Sequence, residues 1–113
     1  MANTFVNKKV DLTTTSATTI YTIPSATTSI IKSILVSEDS GNADTLTVTI
    51  TDTADAVFSL FKTKAISANA TTELLTAPLV LQQNEVLKVT AATANRLHVV
   101  LSALQSKPRE VIT

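Results

Sequence analysis

The segment Thr45-Leu46-Thr47-Val48-Thr49-Ile50-Thr51 constrains this chain more than any other, because apolar and hydroxyl side chains alternate through it without a break. A period of two puts Leu46, Val48 and Ile50 on a core and the Thr residues on the opposite face. A helix would scatter the same residues around its circumference. Thr suits the outer position, since its hydroxyl is polar and its β-branched frame fits a pleated surface. The 113-residue chain contains 21 Thr, so this solution is available to much of it.

Similar signals recur on both sides. Thr18 to Ile23 is rich in β-branched residues and stops at Pro24. Ser29 to Ser37 carries Ile30, Ile31, Ile34, Leu35 and Val36, apolar on both faces, so its register is open. Glu38 to Asp44 forms a turn around Gly41, the only glycine of the chain. Val57 to Thr63 reads as a strand with Phe58 and Leu60 on one face, Phe58 in the core, and Val57 and Phe61 on an apolar outer patch. Glu73 to Leu81, apolar but interrupted by Pro78, reads as an edge strand or loop. Val86 to Thr90 and Arg96 to Leu104 alternate again, the latter with Leu97, Val99, Leu101 and Ala103 inward. The residues between 63 and 72 hold at most one helical turn. The expected fold is all-β: a single antiparallel β-sandwich of about six to eight short strands. An extended N-terminal arm (1–15) precedes the sandwich domain (16–105), and a C-terminal tail (106–113) follows it.

Composition removes whole classes of function. There is no Cys, which excludes disulfides and thiolate chemistry, and a single His leaves the usual imidazole metal sites without parts. Nine basic and nine acidic residues balance, unlike the basic excess of a nucleic-acid binder. No apolar run reaches the length of a bilayer span, and the first residues lack the features of a signal peptide. Neither a nucleic acid nor a membrane is expected as a partner, and the chain is expected to act without secretion.

No catalytic, cofactor-binding or metal site is expected either. Glu38, Asp39, Asp44, Asp52 and Asp55 fall in two turns at opposite ends of the Thr45–Thr51 strand, roughly 17 Å apart at about 3.3 Å per residue. Asp39, Asn42 and Asp44 offer oxygen atoms to Ca²⁺, but their spacing does not match a Ca²⁺ loop, and a solvated turn is expected. His98 should point away from Leu97 and Val99, with no nucleophile or acid in recognisable relation to it. One glycine allows no phosphate loop and no nucleophile elbow. The sequon Asn69-Ala70-Thr71 lacks a secretory context.

Met1-Ala2-Asn3-Thr4-Phe5, Thr18-Thr19-Ile20-Tyr21-Thr22-Ile23-Pro24-Ser25-Ala26-Thr27-Thr28 and Thr76-Ala77-Pro78-Leu79-Val80-Leu81-Gln82-Gln83-Asn84-Glu85-Val86-Leu87-Lys88-Val89 resemble small virion structural proteins of tailed bacteriophages, including those of marine cyanophages. The resemblance covers about residues 3–104 and rests on structural rather than catalytic motifs. It implies a non-enzymatic particle component, made in the host cytoplasm and located on the virion. The first reading is a capsid decoration (cement) protein, bound to the major capsid protein on the outer head as a homotrimer or other homo-oligomer. The second is a neck, tail or fibre component that contributes to host glycan attachment. A small glycan hydrolase is the third, and it lacks a motif that pairs two acids. Candidate capsid or subunit contacts are Phe5, Val6, Val57, Phe61 and Arg109.

Overall fold

The computed structural model describes residues 2–107, and all its regular structure is strand: β1 (Ala2–Asp11), β2 (Thr18–Thr22), β3 (Thr28–Glu38), β4 (Asp44–Thr51), β5 (Val57–Ile66), β6 (Thr71–Glu73), β7 (Leu79–Leu81), β8 (Val86–Ala91) and β9 (Leu97–Lys107). Two antiparallel sheets form. The first runs β1-β9-β3-β6, with β7 also on β3, and the second runs β2-β8-β4-β5. The sandwich expected from the strand pattern is therefore present, with no helical turn among the described residues.

The inner faces meet in one apolar core. β4 contributes Leu46, Val48 and Ile50, all buried, as its alternation requires. Ile31, Ile34 and Val36 of β3, Leu97, Val99, Leu101 and Ala103 of β9, and Leu87 and Val89 of β8 complete its centre. Burying a Val, Leu or Ile side chain contributes roughly 1.5–3 kcal/mol, so this alternation is the main source of stability. The Thr residues of β4 are half-buried rather than free, because β4 is an interior strand and cross-strand neighbours such as Thr90 and Lys88 stand beside them.

Three expectations need correction. Residues 1–15 were expected as an arm, yet β1 pairs with β9 along its whole length, from Ala2 opposite Lys107 to Asp11 opposite His98. Beyond it Leu12 is buried in the core, held by backbone bonds Leu12 N to Leu97 O at 3.0 Å and Asn95 N to Leu12 O at 2.8 Å. The paucity of apolar residues hid this strand, which places Val6 and Val10 inward and polar side chains between them. Ser106 and Lys107, assigned to the tail, extend β9.

The third correction concerns β5, where strict alternation fails. Its register against β4 slips twice, between Val48 and Thr49 and between Leu46 and Val48. The first bulge inserts Leu60, so Phe58 (opposite Ile50) and Phe61 (opposite Val48) lie on the same side instead of opposite ones. Phe61 packs half-buried against the core, whereas Phe58, which lies nearer the strand's start at the open edge, is 55% exposed. The second bulge holds Thr63 at φ 50°, with its N–H bonded to Thr47 Oγ1 at 3.0 Å.

A chain with one glycine must make its turns otherwise. Gly41 takes φ 83°, and Asn69, Asn84, Asn95 and Asp55 adopt the left-handed region that Asn and Asp tolerate best. Ala26, at φ 55°, does so without a polar side chain to help.

Candidate assembly surface

The acids act as turn organisers. Period two on β3 carries Glu38 inward after Ile34 and Val36, and its side chain is buried. Its carboxylate accepts bonds from the N–H groups of Gly41 (3.0 Å), Asn42 (3.1 Å), Asn69 (3.1 Å) and Ser40 (2.9 Å), and from Ser40 Oγ. Burial pushes its pKa up, but these donors outweigh burial and lower it to about 2. Asp44 Oδ2 accepts from Thr93 N at 3.1 Å, and Asp52 Oδ1 accepts from Ala54 N and Ala56 N, each at 2.9 Å. Asp39 turns instead toward His98 Nδ1 at 3.6 Å. Asp39, Asn42 and Asp44 thus serve different partners, and among the described residues no three His, Asp or Glu side chains are arranged to hold a metal ion.

Glu73 stands in for backbone. β6 and β7 pair with opposite ends of β3, at Leu35–Ser37 and Ser29–Ile31. Between them Glu73 Oε2 accepts from Ile34 N at 2.8 Å, Ser33 Oγ bonds Oε1, and Leu74 N donates to Ile34 O at 2.9 Å. Burial raises the Glu73 pKa and the hydrogen bonds from Ser33 and the backbone lower it, with a net lowering.

His98 does point outward, as expected, and it has acids beside it that the sequence spacing did not reveal. Nε2 lies 3.2 Å from Asp11 Oδ1, and Asp39 sits on the other nitrogen. Among the described residues the imidazole's contacts are these two carboxylates. Tyr21, considered as a stacking residue, is buried. Its hydroxyl bonds Ser29 Oγ at 3.0 Å and receives Gln105 Nε2 at 2.6 Å, and Lys8 Nζ lies 5.6 Å from its ring centroid.

What the molecule presents outward is apolar sheet. The register of the first sheet aligns Phe5, Leu104, Ile30 and Val80 in one row across β1, β9, β3 and β7. A parallel row joins Lys9, Val100, Leu35 and Glu73 across β1, β9, β3 and β6. Between the two lie Asn7, Ser102 and Ser33. Phe5 is 81% exposed and Val80 53%, with Leu35 also exposed. On this face, Phe5, Asn7, Ser102 and the exposed Lys32 line a depression open to solvent. Soluble monomers seldom leave so continuous an apolar strip uncovered.

The candidate contacts distribute unevenly over this geometry. Phe5 lies at the centre of exposure, but Val6 points inward against Ala103 and is half-buried. Val57 is 62% exposed on the outer side of β5, while Phe61 turns to the core, so the two do not form the outer patch expected of them. Arg109 lies outside the described residues. Sequence reasoning missed Ile30, Leu35, Val80, Val100 and Leu104. The signal for Ile30 and Leu35 was the strand with both faces apolar, Ser29 to Ser37.

The fold and its surface define an antiparallel sandwich with an uncovered apolar sheet face. No protein-family model and no curated protein sequence matches the chain. Among solved structures it is similar to a chain from the work titled "Bacillus endospore appendages form a novel family of disulfide-linked pili". The likeness has a TM-score of 0.54 and 11% identity, and covers 96% of this chain and 93% of the other. It is a likeness of fold. Disulfide linkage is closed to the present chain, which has no Cys.

Proposed function

We propose that the chain is a non-enzymatic structural subunit of a phage particle, first of all a decoration (cement) protein on the outer head bound to the major capsid protein. What carries the reading is the combination of exposed apolar sheet and polar groups already committed to turns and sheet pairing. Glu38, Asp44, Asp52 and Glu73 all serve the fold, which leaves surface rather than chemistry as the functional asset. Val57, Phe58 and Leu60 on the β5 flank are assigned to the particle contact, and contacts of this kind gain strength from repetition over many copies. A homotrimer founded on Val57 with Phe61 loses its motive, since Phe61 is turned inward.

The second reading, a neck, tail or fibre component, draws on the fold likeness to an appendage protein. Labelling of intact particles separates the two. Copies in the hundreds spread over the head support decoration, and a few copies at one vertex favour the tail. Absence from particles would overturn both.

A further inference from the structure

We infer that the free edge of β1 accepts an extended segment of a partner protein as an added strand, one that carries an acidic pair opposite Lys8 and Lys9. The edges of the two sheets are not alike. On the far side of the first sheet, β6 and β7 have three residues each. In the second sheet, β2 has five residues and a register shift against β8, while β5 is bulged twice and carries the exposed Lys62 and Lys64. Short strands, bulges and edge lysines are the devices that keep a sheet from adding strands. β1, by contrast, has ten residues, contains no Pro, and holds an unbroken register from Ala2 to Asp11. Lysines are the one such device it carries.

Alternation assigns the groups that this edge offers. Leu12 N donates to Leu97 O at 3.0 Å and continues the β1–β9 register, so the even-numbered residues of β1 turn their N–H and C=O toward β9. Asn3, Phe5, Asn7 and Lys9 therefore turn theirs outward. The C=O of Asp11 agrees, since it accepts from Thr13 N at 3.0 Å instead of serving β9. Donors and acceptors thus repeat at every second residue along the edge, which is the template that strand addition uses.

Charge selects the occupant. Lys8 and Lys9 are exposed, and the ion pairs among the described residues join His98 to Asp11 and Asp39, leaving both lysines to solvent. Opposite charges directly across a strand pair attract and like charges repel. An acidic pair at the level of Lys8 and Lys9 is thus favoured, with apolar side chains at the level of Phe5 and Val6. The same lysines turn basic strands away, so they act as a filter on what the edge accepts. A second copy of β1 fits poorly. Antiparallel pairing sets a lysine opposite Asp11, the one acid of the strand, only where the overlap shrinks to residues 8–11. Parallel pairing about a two-fold axis sets the two lysine pairs level with one another. The inference concerns the free protein, and failure of head labelling leaves it intact.

Titration calorimetry of the full chain with synthetic peptides tests it. The probe alternates Val and Thr on both sides of a central Glu-Glu pair, and its counterpart has Lys-Lys there. The Glu-Glu peptide should bind, and the Lys-Lys peptide should bind at least about tenfold more weakly. The double variant Lys8→Glu/Lys9→Glu should reverse that preference. Asn7→Pro removes one outward N–H at an edge position where Pro is tolerated, so it should stay folded in urea titration yet weaken binding at least about tenfold. On the wild type, bound Glu-Glu peptide should slow amide exchange at Phe5, Asn7 and Lys9, and this measurement decides if Asn7→Pro fails to fold. No binding at about 1 mM peptide overturns the proposal. So does binding indifferent to the charge reversal, binding that leaves those amides unprotected, or self-association of the wild type that protects them without peptide.

Discussion

At the scale of single residues, the buried polar groups are sensitive points, because their partners are complete. Glu38 has a folded pKa near 2, below the ordinary 4.5. A carboxyl held low in the folded state contributes stability that is present above its unfolded pKa and lost as pH falls through the folded one. The urea midpoint should therefore fall as pH drops from 4.5 toward about 2. Glu38→Gln should lower the midpoint at neutral pH and flatten this acid limb, with the remaining slope attributable to Glu73, whose pKa is shifted the same way. Tyr21→Phe is the second case. It strips the buried Ser29 and Gln105 of a shared partner, and urea unfolding should register a loss of about 1–3 kcal/mol. The sequence marked Glu38 as the start of a turn but not as its hub. The reason lies at Lys32, where the register of β3 against β9 shifts, so that Ile31 and Ile34 both face inward at an odd separation.

Elements show where the pattern could be read and where it could not. β4, β8 and β9 are regular, and their inward residues follow from alternation alone. β5 looked equally regular, yet a bulge is a local change in residue count and leaves no mark on an apolar pattern. Its consequence is measurable. Phe58→Ser should cost less than about 1 kcal/mol, as surface changes do, whereas Phe61→Ala should cost about 2–3 kcal/mol because it opens space against the core. Thr63→Gly should leave stability unchanged or raise it by about 1 kcal/mol, since a β-branched residue at φ 50° is strained. The bulges also have a protective effect. With the exposed Lys62 and Lys64, they blunt the outer edge of β5 against indiscriminate strand pairing. β1 escaped notice for a different reason: an edge strand needs few apolar residues when its hydrogen bonds and two valines suffice. Removing residues 2–11 should destabilise the sandwich rather than merely release an arm, and thermal unfolding of the truncated chain would show it.

For the whole molecule, the absence of net charge and of Cys acquires a meaning that composition alone did not supply. With disulfides closed to it, the chain has only non-covalent contact for association, and neutrality lets copies crowd together without mutual repulsion. Exposed apolar side chains of β5 are the surface proposed for the particle. Val57→Asp combined with Phe58→Ser should reduce occupancy on labelled particles while moving stability in urea by less than about 1 kcal/mol, since both side chains are exposed.

The pairing of Ala2 with Lys107 places the two ends of the described chain side by side at one end of an antiparallel ribbon. Mechanically, a pull on those two residues would load the β1–β9 hydrogen bonds one after another, as a zipper opens. A pull spread over the sheet face would strain many bonds at once. A subunit tethered by its ends would therefore yield at low force, while one held by its face would behave as a rigid plate.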